Sequence, residues 1–291
     1  MHINMHSLYK LIFIPFIFIF LTCSAYKPVI LIHGIMAQSG SLDLLAKRIN
    51  EVHPGTSIYV SNRFDGWSSL VSMRHQVKAF GSDLMNITSQ HPEGIHLIGF
   101  SQGGLIGRGI LETFPKHNVK TFISLSAPQA GQYGTKFLHL FFPSLWKKTA
   151  YELFYSEVGQ YTSVANYWND PYHQSLYLRY SAFLPYINNE ISSPESESQS
   201  EGMLSLDRLV LVGGPDDGVI TPWQSSHFGY YNFSEEVVEM QKRDIYTKDL
   251  FGLKTLHESG RLITIVCSGV QHFDWHLNIS VIDNHIIPYL D

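Results

Sequence analysis

The run Gly99-Phe100-Ser101-Gln102-Gly103 constrains this chain more than any other feature. It lies between a strand-like stretch, Gly94 to Phe100, and a helix-like stretch, Leu105 to Phe114. In that setting the pentapeptide reads as a nucleophile elbow, a sharp strand-to-helix turn that lifts a serine hydroxyl above the carboxyl end of a sheet. Small residues two before and two after the serine let the strand and the helix fold back closely. The amide-rich start of the helix then points at the same place as the hydroxyl.

An elbow needs a parallel sheet around it, and the pattern of the chain supplies one. Strand-like and helix-like runs alternate, the mark of an α/β fold. Pro28 to Ile32 is apolar throughout, as a strand buried on both faces should be. Leu42 to Val52 has helical spacing, Thr56 to Val60 reads as a strand, and Trp67 to Thr88 as mostly helix. After the elbow, Val119 to Leu125 is another strand. Regularity then breaks. From about 131 to 205 the chain is rich in Phe, Tyr and Trp, which predicts an inserted helical subdomain or cap. Ser192-Ser193-Pro194 and the polar stretch to Gly202 read as a mobile surface loop. Leu209 to Val212 resumes the sheet, Glu235 to Leu256 reads as a helix, Leu262 to Cys267 as the last strand and Trp275 to Tyr289 as the last helix.

Residues 1–25 read as a secretory signal peptide, with Lys10 before the apolar run Leu11 to Leu21 and small residues at Ser24-Ala25. An uncleaved membrane anchor is the alternative, but the run is short for a span, so no stable membrane span is expected. The catalytic domain then covers 26–291. Asn86, Asn232 and Asn278 each open an Asn-X-Ser/Thr acceptor and predict glycosylation. Cys23 leaves with the signal, so Cys267 remains alone and no intrachain disulfide can form. A net charge of −5 without a basic block argues against nucleic acid as a partner.

A serine nucleophile needs a base, and the base needs an acid to orient it. On this architecture they follow in the order serine, acid, histidine, from loops after successive strands. Leu209 to Val212 is followed by Gly213-Gly214-Pro215-Asp216-Asp217-Gly218, and the last strand by Ser268-Gly269-Val270-Gln271-His272. Asp217, deeper in its turn than the rival Asp216, is the expected acid. His272 is the expected base, ahead of His276. The two histidines are four apart, but no Glu follows the first and no third ligand is evident, so neither a metal nor another cofactor is expected. For the oxyanion hole the expected amides are those of Gln102, directly after the nucleophile, and Ile35, after His33-Gly34, with Met36 as the fallback. His33 reads as a residue that fixes its loop by hydrogen bonds. The aromatic insertion reads as the core of a cap that also lines an acyl groove.

His33-Gly34, Gly99 to Gly104, Ser126-Ala127-Pro128-Gln129 with Gly131-Gln132-Tyr133-Gly134, and Gly213 to Ser226 together resemble the palmitoyl-protein thioesterases. The last run, with Asn166-Tyr167-Trp168, is closest to the lysosomal type 2 branch of that family. The resemblance covers nearly the whole mature chain. It implies an α/β-hydrolase fold, a mostly parallel sheet with helices on both faces and an inserted helical cap. It implies a soluble, glycosylated lysosomal hydrolase of long-chain acyl thioesters, routed through its glycans to a sorting receptor. The type 2 branch is held to prefer acyl-CoA-like thioesters over bulky acylated proteins. Ser101, Asp217 and His272 carry over as the triad, Ile35 and Gln102 as the oxyanion amides. Family members usually carry several disulfides, and in that this chain departs from them. The rival readings are a lipase or carboxylesterase acting on oxygen esters, and a catalytically silent binding protein on the same fold.

Overall fold

A computed structural model describes residues 26–194 and 196–291. The predicted signal peptide, residues 1–25, lies outside the described residues. Six parallel strands form the main sheet in the order β2-β1-β3-β4-β5-β8. They are β1 (Val29–Ile32), β2 (Ile58–Val60), β3 (Ile95–Phe100), β4 (Val119–Leu125), β5 (Arg208–Gly213) and β8 (Leu262–Val266). β6 (Tyr230–Tyr231) and β7 (Val237–Val238) form a separate antiparallel pair.

Successive strand residues point to opposite faces, and the sheet therefore has two cores. Ile30, Ile32, Leu97, Phe122, Leu209 and Leu211 face one side, packed with α2 (Met73–Thr88) and α3 (Gln102–Thr113). Val29, Leu31, Ile98, Ile123, Val210 and Val212 face the other, packed with α1 (Asp43–Val52) and α12 (Ile279–His285). Helices on both faces bury the central strands almost throughout, β1 as an unbroken apolar run and β3 and β4 with His96, Thr121 and Ser124 buried among apolar residues.

The order reverses at β1: the chain steps outward to β2, then returns to β3 on the opposite side of β1. At such a switch point the loops leaving the two neighbouring strands diverge and open a crevice at their carboxyl ends. Ser101 ends β3 at that crevice, opposite the loop after β1.

The insertion between β4 and β5 carries α4 (Thr135–Phe141), α5 (Ala150–Phe154), α6 (Ser163–Tyr167), α7 (Gln174–Tyr180), α8 (Leu184–Ile187) and α9 (Ser196–Leu204). Half of its aromatics are buried in the core. Tyr133, Phe154, Tyr167, Trp168, Tyr177 and Phe183 are buried against one another and the α3 face of the sheet.

Three expectations need correction. The stretch expected as a mobile loop is helix α9 from Ser196, packed on α3 with Gln199, Gly202 and Met203 buried. Glu235 to Leu256 is not one helix. Val237–Val238 pairs with β6, and only α10 (Asp244–Thr247) and α11 (Leu253–Glu258) are α-helical. Glu235, Asp249 and Gly252 all have positive φ, which a helix cannot accommodate. The final helix begins at Ile279, not Trp275, because Asn278 caps it with an extended backbone. Among the described residues, no helix is long and apolar enough to cross a membrane.

Candidate active site

The turn after β3 holds Ser101 at φ 54°, ψ −125°, outside the regions most residues occupy. The flanking glycines explain why the turn can close. A Cβ at Gly99 would lie 2.4 Å from the Gly103 carbonyl oxygen, and one at Gly103 would lie 2.3 Å from that of Ile32. Neither position has room for a side chain.

The structure brings Ser101, His272 and Asp217 together from three loops. His272 Nε2 is 2.9 Å from Ser101 Oγ, and His272 Nδ1 is 2.8 Å from Asp217 Oδ2. The three are 2–5% exposed. Asp217 Oδ2 also accepts from Ser126 Oγ (2.6 Å) and Trp275 Nε1 (2.7 Å), while Oδ1 accepts from the amides of Val219 (3.0 Å) and Ile220 (2.7 Å). Burial alone would raise the Asp217 pKa. The hydrogen bonds from His272, Ser126 and Ile220, with the charge His272 can carry, outweigh it and hold the carboxylate below its ordinary range. Asp216 plays a different part, since its Oδ2 accepts from the Gly269 amide at 2.7 Å. It thereby ties the acid loop to the loop that carries His272, as does the bond from the His272 amide to the Asp217 carbonyl (3.0 Å).

Ser126 and Trp275 were assigned no part by sequence reasoning. A polar residue at the carboxyl end of β4, between two strands that present site residues, was the available signal for Ser126. Nothing in the spacing marks Trp275, whose indole reaches Asp217 only because the sheet and the last loop meet.

On the other side of Ser101 the loop after β1 comes close. A Cβ at Gly34 would sit 3.1 Å from Ser101 Cβ. The Met36 amide donates to Ser69 Oγ at 2.7 Å, which removes the fallback oxyanion donor. The Ile35 amide makes no hydrogen bond among the described residues. Gln102 opens α3, where a backbone amide has no partner within the helix. Its side chain is anchored on the Ser69 carbonyl (2.9 Å) and accepts from Tyr167 Oη (3.1 Å). His33 fixes its loop as expected: Nδ1 contacts its neighbour Gly34's carbonyl (2.8 Å), and Nε2 that of Arg63 (3.1 Å).

A cavity of about 440 Å³ opens beside Ser101 and His272. Ile35, Met36 and Trp67 line it from the β1 and β2 sides, Phe137, Leu140 and Phe141 from α4, and Val219, Phe273 and Leu277 from the last two loops. Only α4 of the aromatic insertion contributes. A larger hollow of about 650 Å³ among Tyr151, Tyr155 and Leu176 contains none of the candidate site residues.

His276 lies before α12 rather than within a helix, with its ring 4.4 Å from that of Phe100. Among the described residues no group of three metal-type ligands occurs. Of the acceptor asparagines, Asn86 is exposed on α2, Asn232 lies in the β6–β7 turn, and Asn278 caps α12. Cys267 is buried and unpaired.

This geometry stands beside clear similarities. Residues 28–272 match the family profile described as palmitoyl protein thioesterase. The chain is 53% identical over 277 residues to a Drosophila melanogaster protein named lysosomal thioesterase PPT2 homolog, covering 93% of this chain and 96% of that one. It is 45% identical over 268 residues to the Homo sapiens lysosomal thioesterase PPT2, covering 92% and 89%. Palmitoyl-protein thioesterase 3 of Dictyostelium discoideum is 33% identical, with 92% and 93% covered. Among solved structures, the Bacillus licheniformis lipase BlEst2 in its propeptide form aligns with a TM-score of 0.50 at 14% identity. The alignment covers 91% of this chain and 49% of that one, a likeness of fold.

Proposed function

The chain belongs to the palmitoyl protein thioesterase family, and from that premise we propose that it hydrolyses long-chain acyl thioesters through Ser101, His272 and Asp217. The observation that carries this is the unbroken relay from Ser101 Oγ through His272 to Asp217, at 2.9 and 2.8 Å, beside a largely apolar cavity. Its relatives' names place them in lysosomes, and the proposal extends that location to this chain. It includes glycans on Asn86, Asn232 and Asn278 and a sorting receptor that reads them.

In the proposed reaction His272 Nε2 takes the Ser101 proton as Oγ attacks the thioester carbonyl carbon. Asp217 holds the other imidazole proton and stabilises the imidazolium. The amides of Ile35 and Gln102 hold the oxyanion, and losing one such donor costs about 3 kcal/mol of barrier. The C–S bond then breaks, leaving Ser101 acylated. The sulfur leaves as a thiolate, whose free acid has a pKa of about 8.5, so acylation demands less of the imidazolium than amide cleavage would; the thiolate then takes the proton from His272 Nε2 as it departs, which restores the neutral base. Water, deprotonated by His272, attacks the acyl-serine, and His272 returns that proton to Ser101 Oγ as the C–O bond breaks and the fatty acid is released.

The test is a panel of acyl-CoA chain lengths and matched oxygen esters on purified protein at acidic and neutral pH. Hydrolysis of long-chain thioesters, abolished in Ser101→Ala, is expected. Strong preference for the oxygen ester would replace this reading with that of a lipase or carboxylesterase. A Ser101→Ala protein as fast as the parent would remove the nucleophile assignment.

A further inference from the structure

The cavity beside Ser101 has two chemically different walls. On the α4 side it is apolar, through Phe137, Leu140, Phe141 and Val219. The segment after β8 also contributes His276 to the lining, and the turn before α1 contributes Ser41. Each carries a polar atom that is shut away without a hydrogen-bond partner: His276 Nδ1 and Ser41 Oγ. Buried polar groups are paired as a rule, so two orphans among the residues lining one cavity call for a physical reason. His276 as a whole is 5% exposed.

The state of the His276 ring follows from its surroundings. A proton on Nδ1 would be a buried donor with no acceptor, and orphan donors are rarer than under-satisfied acceptors. The proton therefore sits on Nε2. Burial first, then the neighbouring His272, lower the pKa to about 4 against the pull of Asp274, so the ring is neutral. Nε2 also has no partner among the described residues, and unlike Nδ1 it is not sealed off. The ring thus offers the cavity a single neutral N–H donor.

The position of His272 indicates which part of a substrate meets that donor. The general base of acylation lies on the leaving-group side of the serine. His276 follows His272 by four residues on the same segment and shares with it the ring of Phe100, at 5.2 Å from His272 and 4.4 Å from His276. The acyl chain then takes the α4 wall, and the thiol carrier passes His276.

We propose that His276 Nε2 forms a polar subsite for the thiol carrier, donating to the carbonyl oxygen of an amide whose nitrogen stands two carbons from the thioester sulfur. The Ser41 hydroxyl, turned by rotation about its Cα–Cβ bond, is the second group of the subsite. A pantetheine arm and a cysteinyl residue in a peptide both carry that β-amido thiol, whereas a plain alkyl thiol does not. The subsite rests on the thioesterase reading above.

The test is a binding titration on Ser101→Ala protein with three thioesters of one acyl chain: those of N-acetylcysteamine, of N-acetylcysteine amide and of an alkyl thiol of matched length. An amide-bearing probe is expected to bind about 3- to 10-fold tighter than the alkyl probe, the range one hydrogen bond allows. A gain by the cysteamine probe alone assigns the subsite to pantetheine-type carriers, and a gain by the cysteine amide alone assigns it to cysteinyl carriers. Adding His276→Leu should close the gap, His276→Gln, which keeps a donor, should restore part of it, and Ser41→Ala should narrow it. The alkyl probe's own affinity reports whether each variant still forms the cavity. Equal affinities for all three probes, or a gap that survives His276→Leu, would overturn the subsite. Hydrolysis by the unaltered protein is read separately: its absence defeats the thioesterase reading, while the binding gap decides the subsite.

Discussion

Asp217→Asn separates the charge of the acid from its shape. The carboxylate receives three donors on Oδ2 (His272, Ser126 and Trp275) and two on Oδ1, the amides of Val219 and Ile220. An asparagine must turn an NH2 group toward one of these sets. Facing the two backbone amides, it leaves both without an acceptor. Facing the other set, it leaves only Trp275 orphaned, because the Ser126 hydroxyl can rotate to accept and His272 can present Nδ1 as an acceptor. An orphaned buried donor costs about 1–3 kcal/mol, so the second arrangement is favoured by roughly that amount. It moves the imidazole proton to Nε2, the nitrogen 2.9 Å from Ser101 Oγ, where a free lone pair is needed. The expected fall in kcat is about 10³–10⁴-fold, the scale of the same wrong-tautomer change in serine proteases. KM for a long-chain thioester should hold within about threefold, since uniform binding is untouched. Ser126→Ala is the control: it removes one hydrogen bond to a charged group, worth about 1.5–3 kcal/mol of stability, and leaves the tautomer as it was. Rates come from trapping the released thiol and stabilities from thermal unfolding followed by circular dichroism. If Asp217→Asn keeps kcat within about tenfold of the parent, or if both variants lose activity equally, the orienting role assigned to Asp217 is wrong.

Three further outcomes follow from the same contacts. Gly103→Ala would push a Cβ to 2.3 Å from one backbone oxygen and 2.5 Å from another, and should lower stability by about 3 kcal/mol or more; an unchanged urea midpoint would refute the close-approach argument. His117 is buried and His227 half-buried, and desolvation lowers both pKa values to about 4. Their unfolded pKa is about 6.5, so the unfolded chain takes up protons first, and stability present above pH 6.5 is lost as pH falls toward 4, at up to about 1.4 kcal/mol per unit for each histidine. A thermal midpoint that stays level from pH 7 to 4.5 would count against neutral histidines in the fold. Asn278 Oδ1 caps α12 through the amides of Ser280 (3.0 Å) and Val281 (3.4 Å), leaving Nδ2 for a glycan. Asn278→Gln should therefore cost about 1 kcal/mol when both proteins are compared after enzymatic deglycosylation, and equal stability there would show that the cap contributes nothing.

What the sequence discloses and what it hides divide along a physical line. The elbow is legible because its demands are local: two glycines, a strand before and a helix after. Buried strands are legible because each is a short, predominantly apolar run bounded by turns. The segment 235–256 misleads because helix-compatible residues fill it, while three backbone positions with positive φ and a pairing with Tyr230–Tyr231 decide its shape. The serine-rich stretch before β5 misleads in the opposite sense. Its composition is polar and its hydrophobic face is weak, yet Gln199, Gly202 and Met203 meet α3 and gain a packing partner that no local window contains.

The site shows the same division more sharply. Residue type and loop order single out a serine, an acid and a histidine, and the position after Gly34 puts Ile35 ahead of Met36, but nothing near them along the chain supplies the partner that separates the two amides. What distinguishes them is Ser69, more than thirty residues downstream, whose hydroxyl takes the Met36 amide, while the Ile35 amide has no hydrogen bond among the described residues. Asp217 is separated from Asp216 in the same way. Ser126 and Trp275 converge on one carboxylate, while the Gly269 amide takes the other. In each case turn position alone ranks two adjacent candidates, and hydrogen-bond partners brought by the sheet give them different surroundings. Such partners enter only where loops from several strands meet, and in a parallel sheet that meeting place is the carboxyl edge beside the point where strand order reverses. The triad is thus legible by residue type and order, whereas the partners that fix it, Ser126 and Trp275, are not, because there the fold rather than the chain sets the neighbours.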